Sequence, residues 1–145
     1  MLTRILAIII ASILLTACAP GPAKPIEIEA ADMCAFCKMA ISQKQYCAEL
    51  IDAERNVSKF DDIGCMLQFA HERRIGEDRL GQIHIFVRDY EKRGWIEGPQ
   101  AFYVQSESIH SPMASGLIAV SDSKDARDYA AQFQGRVMTF DEIWK

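Results

Sequence analysis

Two sulfur-bearing segments hold the chemistry of this sequence. Cys34-Ala35-Phe36-Cys37-Lys38-Met39 sets two thiols three residues apart and adds a thioether two residues later. Thiols at that spacing in a loop can converge on one ion or on each other. Thiolate and thioether together favour Cu(I) over hard ions such as Mg²⁺ or Ca²⁺. His110-Ser111-Pro112-Met113 is the second segment, with an imidazole and a thioether flanking a proline. Pro112 fixes φ and stiffens that loop, which could aim Met113 towards Cys37 and Met39. A redox dithiol, a disulfide and a metal site all satisfy CxxC alone, and Met39 tilts the reading towards copper.

The other candidates are weaker. Cys47 falls in an expected strand and Cys65 in an expected apolar helix, where each reads as a small hydrophobe or disulfide partner. The four cysteines beyond Cys18 also allow two disulfides and a purely structural domain. A self-contained zinc site usually takes four Cys or His ligands, and no second CxxC or HxxxH pair is present. His71 suits the last turn of a helix, and His84 is a spare ligand on a strand.

These loops need elements to position them. Gln45 to Ile51 and Val57 to Phe60 read as paired strands across the turn-like Asp52 to Asn56. Asp61 or Asp62 can cap a helix running to about Arg74, with Ile63, Met66, Leu67 and Ala70 at helical spacing. A second half is expected from Gln82. It starts with a strand to Tyr90 that alternates Ile83, Ile85 and Val87 with His84, Phe86 and Arg88. Strands at Phe102 to Gln105 and Leu117 to Val120 follow, then a helix capped by Ser121 or Ser123 and closed by Gly135 as its left-handed residue. Arg136 to Phe140 reads as a last strand and Asp141 to Trp144 as a short helical end. The fold class is α+β, with a duplicated β–β–α unit in which Met39 and Met113 would occupy equivalent places.

The 145 residues suit one domain; 50% are apolar and 25% charged, an ordinary globular composition. The net charge of −4 argues against a nucleic-acid partner, which would meet a basic face. No phosphate-binding loop, dinucleotide fingerprint, zinc-protease helix or nucleophile elbow occurs. Residues 1–17 read as a signal peptide: basic Arg4, then an apolar run from Ile5 to Leu15 too short for a permanent membrane span. Leu15-Thr16-Ala17-Cys18 resembles the bacterial lipobox, whose cysteine is acylated with palmitate-type chains and becomes the new N-terminus. More than one acyl chain gives stable anchoring. Residues 18–31 read as the lipidated Cys18 and a Pro/Gly-rich tether, and residues 32–145 as the folded domain. Loss of Arg4 leaves 15 basic against 20 acidic residues, a net of −5. Ala19, rather than Asp, after Cys18 points to the outer membrane facing the periplasm, over the inner membrane.

The lipobox, Asp32-x-Cys34-x-x-Cys37-x-Met39, Lys59-Phe60-Asp61-Asp62-Ile63-Gly64-Cys65-Met66 and Ser111-Pro112-Met113 occur in this order. Together they resemble the NosL family of nitrous oxide reductase accessory lipoproteins. The resemblance implies a non-enzymatic periplasmic Cu(I) chaperone that helps supply copper to nitrous oxide reductase, with a membrane ABC-type complex as partner. It also implies two β–β–α-type halves related to the treble-clef-like fold of organomercurial lyase. The implied metal site is a shallow Cu(I) site of Cys37, Met39 and Met113, with Cys34 or His110 able to join. The rival enzyme reading is a thiol–disulfide oxidoreductase using Cys34 and Cys37, with Pro112 as the cis-proline facing them. That reading wants a hydrophobic strand before the dithiol and a long helix after it, and Ile26 to Ala31 is too short and acidic for such a strand.

Overall fold

A computed structural model describes residues 21–145, so the signal peptide and the lipobox cysteine Cys18 lie outside the described residues. The domain has two antiparallel sheets built on one repeated plan. In the first, β1 (Ala48–Ile51) pairs with β2 (Val57–Phe60), α1 (Ile63–Glu72) follows, and β3 (His84–Arg88) returns to the free edge of β1. β4 (Trp95–Glu97) then extends the sheet to the order β2-β1-β3-β4. The second unit repeats the plan. β5 (Phe102–Gln105) pairs with β6 (Leu117–Val120), α2 (Ser123–Gln132) follows, and β7 (Arg136–Met138) returns to β5, giving β6-β5-β7. A short α3 (Phe140–Trp144) closes the chain with a Thr139/Glu142 capping box.

Period-two alternation explains the layering. Tyr103, Leu117 and Ala119 face the larger core shared with the first sheet and α1, while Val104, Ile118 and Val120 face a smaller core that takes in Ala126 of α2. The second sheet is therefore covered on both faces. In the first sheet Ala48, Leu50, Ile85 and Val87 all enter the larger core. Residues 26–29, placed in the tether by sequence, pack against this sheet. Ile28 is fully buried, Ile26 N–H donates to Glu49 at 2.9 Å, and Glu27 pairs with Arg88.

Several boundaries differ from the expectations. The second half begins at Phe102, not Gln82, because β3 hydrogen-bonds to β1 and carries β4 with it. Residues 44–46 form a 3-10 turn ahead of β1 instead of extending the strand. Asp122, not a serine, caps α2, its carboxylate accepting from Lys124 N–H at 2.7 Å. The left-handed residue that ends α2 is Gln134 (φ 53°). Gly135 is required for another reason: a Cβ there would run into the Gln105 carbonyl and the Ser106 side chain. Finally, Met39 precedes β1 whereas Met113 lies between β5 and β6, so the two are not topologically equivalent.

Candidate metal centre

The CxxC segment is a closed knuckle. An isolated bridge pairs Met33 with Ala40, Cys34 N–H donates to the Met39 carbonyl at 2.8 Å, and Lys38 N–H donates back to the Cys34 carbonyl at 3.1 Å. Lys38 takes φ 63°, the left-handed conformation that turns the chain after Cys37. Ala35 N–H donates to the Lys59 carbonyl at 2.8 Å, and the Lys59 ammonium meets Asp32 at 2.6 Å. The knuckle is thus fastened to the end of β2, immediately before Asp61.

Asp61 and Asp62 open α1 and divide two tasks. The Cys37 thiol lies 3.6 Å from each carboxylate oxygen of Asp61. Asp62 caps the helix, its Oδ1 accepting from Gly64 N–H at 2.6 Å. Its Oδ2 accepts from Met113 N–H at 3.1 Å, across 51 residues of sequence. The second loop is held in shape around that contact. The Ser111 and Ser115 hydroxyls are 3.2 Å apart, Gly116 N–H donates to Ser111 Oγ at 3.2 Å, and Ala114 turns with φ 56°. Gly64 allows the loop to approach, since a Cβ there would meet Ser115 Cβ at 2.5 Å.

The two sulfur loops therefore dock on consecutive aspartates at one helix start. Met39 and Met113 are 58% and 40% exposed at the surface, while Cys34 is fully buried and Cys37 half-buried. His110 is exposed and lines an open cavity of about 650 Å³ together with Glu107, Gln134 and Arg136, on the side towards β5 and β7. His71 and His84 are exposed, in the last turn of α1 and at the start of β3.

The sequence reading did not anticipate that Cys65 belongs here. Its thiol, the thiols of Cys34 and Cys37 and a carboxylate oxygen of Asp61 lie within 4.8 Å of one another. The available signal was Asp61-x-x-x-Cys65, one turn of helix, but Cys65 also continued an apolar face and read as core. Burial pushes the Cys34 thiol up, against the opposing backbone N–H groups of Asp61, Cys37 and Phe36. Burial, then the neighbouring Cys34 and Asp61, push Cys65 up as well. Both are thiols in the free protein. Cys47 is buried apart from this group, its thiol directed at the Gln43 carbonyl and pushed up to about 12 by burial.

Cys34, Cys37, Cys47 and Cys65 are all free, so the two-disulfide reading finds no support. The oxidoreductase reading fares no better. The dithiol sits in a knuckle that leads into no helix, and no peptide bond among the described residues is cis, Pro112 included.

A family model described as NosL matches residues 25–145. Among curated proteins, a copper-binding lipoprotein NosL from Stutzerimonas stutzeri is 27% identical over 128 residues, covering 83% of this chain and 66% of the relative. The chain thus spans just under two thirds of that relative's length. Among solved structures, the copper chaperone NosL from Shewanella denitrificans superposes with a TM-score of 0.72 at 21% identity. The match covers 83% of this chain and 96% of the other, so the folds agree. With the sequence motifs in order and the family match running through both β–β–α–β units, this chain belongs to the NosL family.

Proposed function

We propose that this protein is a Cu(I) carrier, anchored to the membrane through acylated Cys18, with its domain in the periplasm. Copper is the cargo. Cys37, Met39 and Met113 take it, and Cys34 or His110 complete its coordination as it loads or leaves. The recipient is the maturation machinery of nitrous oxide reductase, reached through a membrane ABC-type complex. One observation carries this reading: loops more than seventy residues apart both fasten to the two aspartates that open α1, each loop carries an exposed thioether, and the first also carries a half-buried thiol.

The chemistry suits transfer. Soft sulfur donors select Cu(I), and thioethers cannot be lost to disulfides. An exposed, under-coordinated ion accepts an incoming Cys or Met before an old ligand departs. The lipid anchor raises the local concentration of the carrier at a membrane-bound partner. The copper-binding relative and the chaperone of like fold support the assignment by their names.

The test is a Cu(I) titration of the full chain against a chromogenic competitor chelator. Cys37→Ser combined with Met39→Ala, and separately Met113→Ala, should each weaken binding by at least about tenfold, the smaller loss seen even for outer-shell changes at metal sites. Unchanged affinity in both variants removes this site from consideration.

A further inference from the structure

The chain ahead of the CxxC knuckle is fastened down. Residues 21–29 run as a strap over the first sheet, and its fasteners Glu49, Lys59 and Arg88 share one sheet face by strand register. Arg55, in the turn between β1 and β2, donates to the Gly21 carbonyl at 2.7 Å. Further along, Ile26 N–H donates to Glu49 at 2.9 Å and the Lys59 ammonium donates to the Glu27 carbonyl at 3.0 Å. The Glu27 carboxylate pairs with Arg88, the Lys44 ammonium donates to the Ile28 carbonyl, and the Ile28 side chain is fully buried. Asp32 then accepts from Glu29 N–H at 2.7 Å and pairs with Lys59 at 2.6 Å. The strap therefore runs from the turn end of the β1–β2 hairpin to its other end, where β2 passes into Asp61.

That direction separates two ends of the domain. At the turn end the strap leads back to Cys18, three residues before Gly21, a step that extended chain covers in at most about 11 Å. At the other end both sulfur loops dock on Asp61 and Asp62. Val57 to Asp61 is four residue steps of strand, about 13 Å, so the hairpin itself holds the acyl site and the sulfur loops apart.

We propose that the strap sets how the domain stands on the membrane. The turn at residues 52–56 and the start of β3 face the lipid headgroups, and the sulfur loops face the aqueous side. Register puts Ile51 opposite His84, which brings the start of β3 to the turn end. This placement rests on the acylated Cys18 proposed above and uses none of the copper ligands. A flexible leash over residues 18–31 would span about 20 Å r.m.s. and let the domain present any face to the bilayer. The docked strap shortens the leash to the three residues before Gly21. An exchange partner then meets the thioethers from the aqueous side, above the headgroups, and has to project from the membrane to reach them.

The test uses the acylated chain in nanodiscs of phosphatidylethanolamine and phosphatidylglycerol doped with a headgroup gadolinium chelate. Methyl-labelled methionine supplies the signal, with Ala53→Met as an exposed reporter in the turn. Gadolinium should erase the reporter methyl signal and leave those of Met39 and Met113. A Gly/Ser linker of about 12 residues between Pro20 and Gly21 adds about 20 Å of r.m.s. span. It should abolish that contrast with no change in melting temperature. Hydrogen exchange should find the Ile26 N–H protected in both proteins. Equal loss of the three methyl signals in the parent, a contrast that survives the linker, or an Ile26 N–H that exchanges like open chain would overturn the proposal. A mass spectrum with no acyl group on Cys18 would overturn the anchor and this placement together. Failure of the Cu(I) titration would leave the gadolinium contrast as expected, because neither strap nor anchor uses a copper ligand.

Discussion

At the scale of single residues, the adjacent aspartates show how one backbone step separates two functions. Asp62 points along the helix and across to the second loop; Asp61 points back into the thiols. Asp62→Ala should destabilise the fold by about 1–2 kcal/mol through the lost cap. Asp62→Asn is more informative. Asparagine caps a helix nearly as well, but its amide presents a donor where Met113 N–H needs an acceptor. Thermal melts should therefore find Asp62→Asn closer to the parent than Asp62→Ala, while Cu(I) competition shows it weakened. Equal Cu(I) affinity would mean that the Asp62–Met113 bond does not set the thioether's position.

At the scale of elements, the start of α1 organises the site. Strand β2 delivers the chain to it, the knuckle fastens to the Lys59 carbonyl beside it, and the Ser111–Gly116 loop rests on its first turn. Gly64 makes that rest possible. In an exposed helix Gly→Ala gains roughly 1 kcal/mol, but here the new Cβ would press Ser115 Cβ at 2.5 Å. Gly64→Ala should therefore displace the second loop rather than stabilise the helix. The expected outcome is a lowered melting temperature together with weaker Cu(I) binding. A raised melting temperature would show that the loop is free to move away. The knuckle was visible in the sequence as CxxC followed by Met, since spacing alone brings those groups together. Its docking on Asp61 was not, because nothing local says which aspartate faces inward.

For the molecule as a whole, the two β–β–α–β units must be held in one orientation for the loops to meet. Asp89 sits in that seam, 2% exposed, beside the isolated bridge to Ala119 and the Tyr90 N–H bond to the Ala119 carbonyl at 2.8 Å. Burial works against its charge, but backbone N–H groups of Lys92, Ser121 and Glu91 outweigh it and hold the carboxyl below its ordinary 3.8. A depressed carboxyl stabilises the fold fully above its unfolded value, and that contribution fades as the pH falls from 3.8 towards the folded value. Asp89→Asn should cost about 1.5–3 kcal/mol at neutral pH, the range for hydrogen bonds to a charged group. The gap between the two proteins in denaturant titrations should narrow below about pH 4. A gap that is constant with pH would place the stabilisation elsewhere.

Local pattern determined much of this protein. Alternation marked β3, the short strands β5 and β6 were legible to the residue, helical spacing marked α1, and soft ligands at short spacing marked both sulfur loops, because each signal acts within a few residues. Tertiary structure decided the rest. Pairing of β3 with β1 moved the boundary between the halves, since a strand's partner is chosen by the whole sheet. Cys65 is the core side chain its apolar helix face implies, and packing of that core set it beside Cys34 and Cys37. Docking on Asp62 brought Met113 to the same helix start. Each depends on which surfaces a folded chain buries together, and no window of sequence contains both partners.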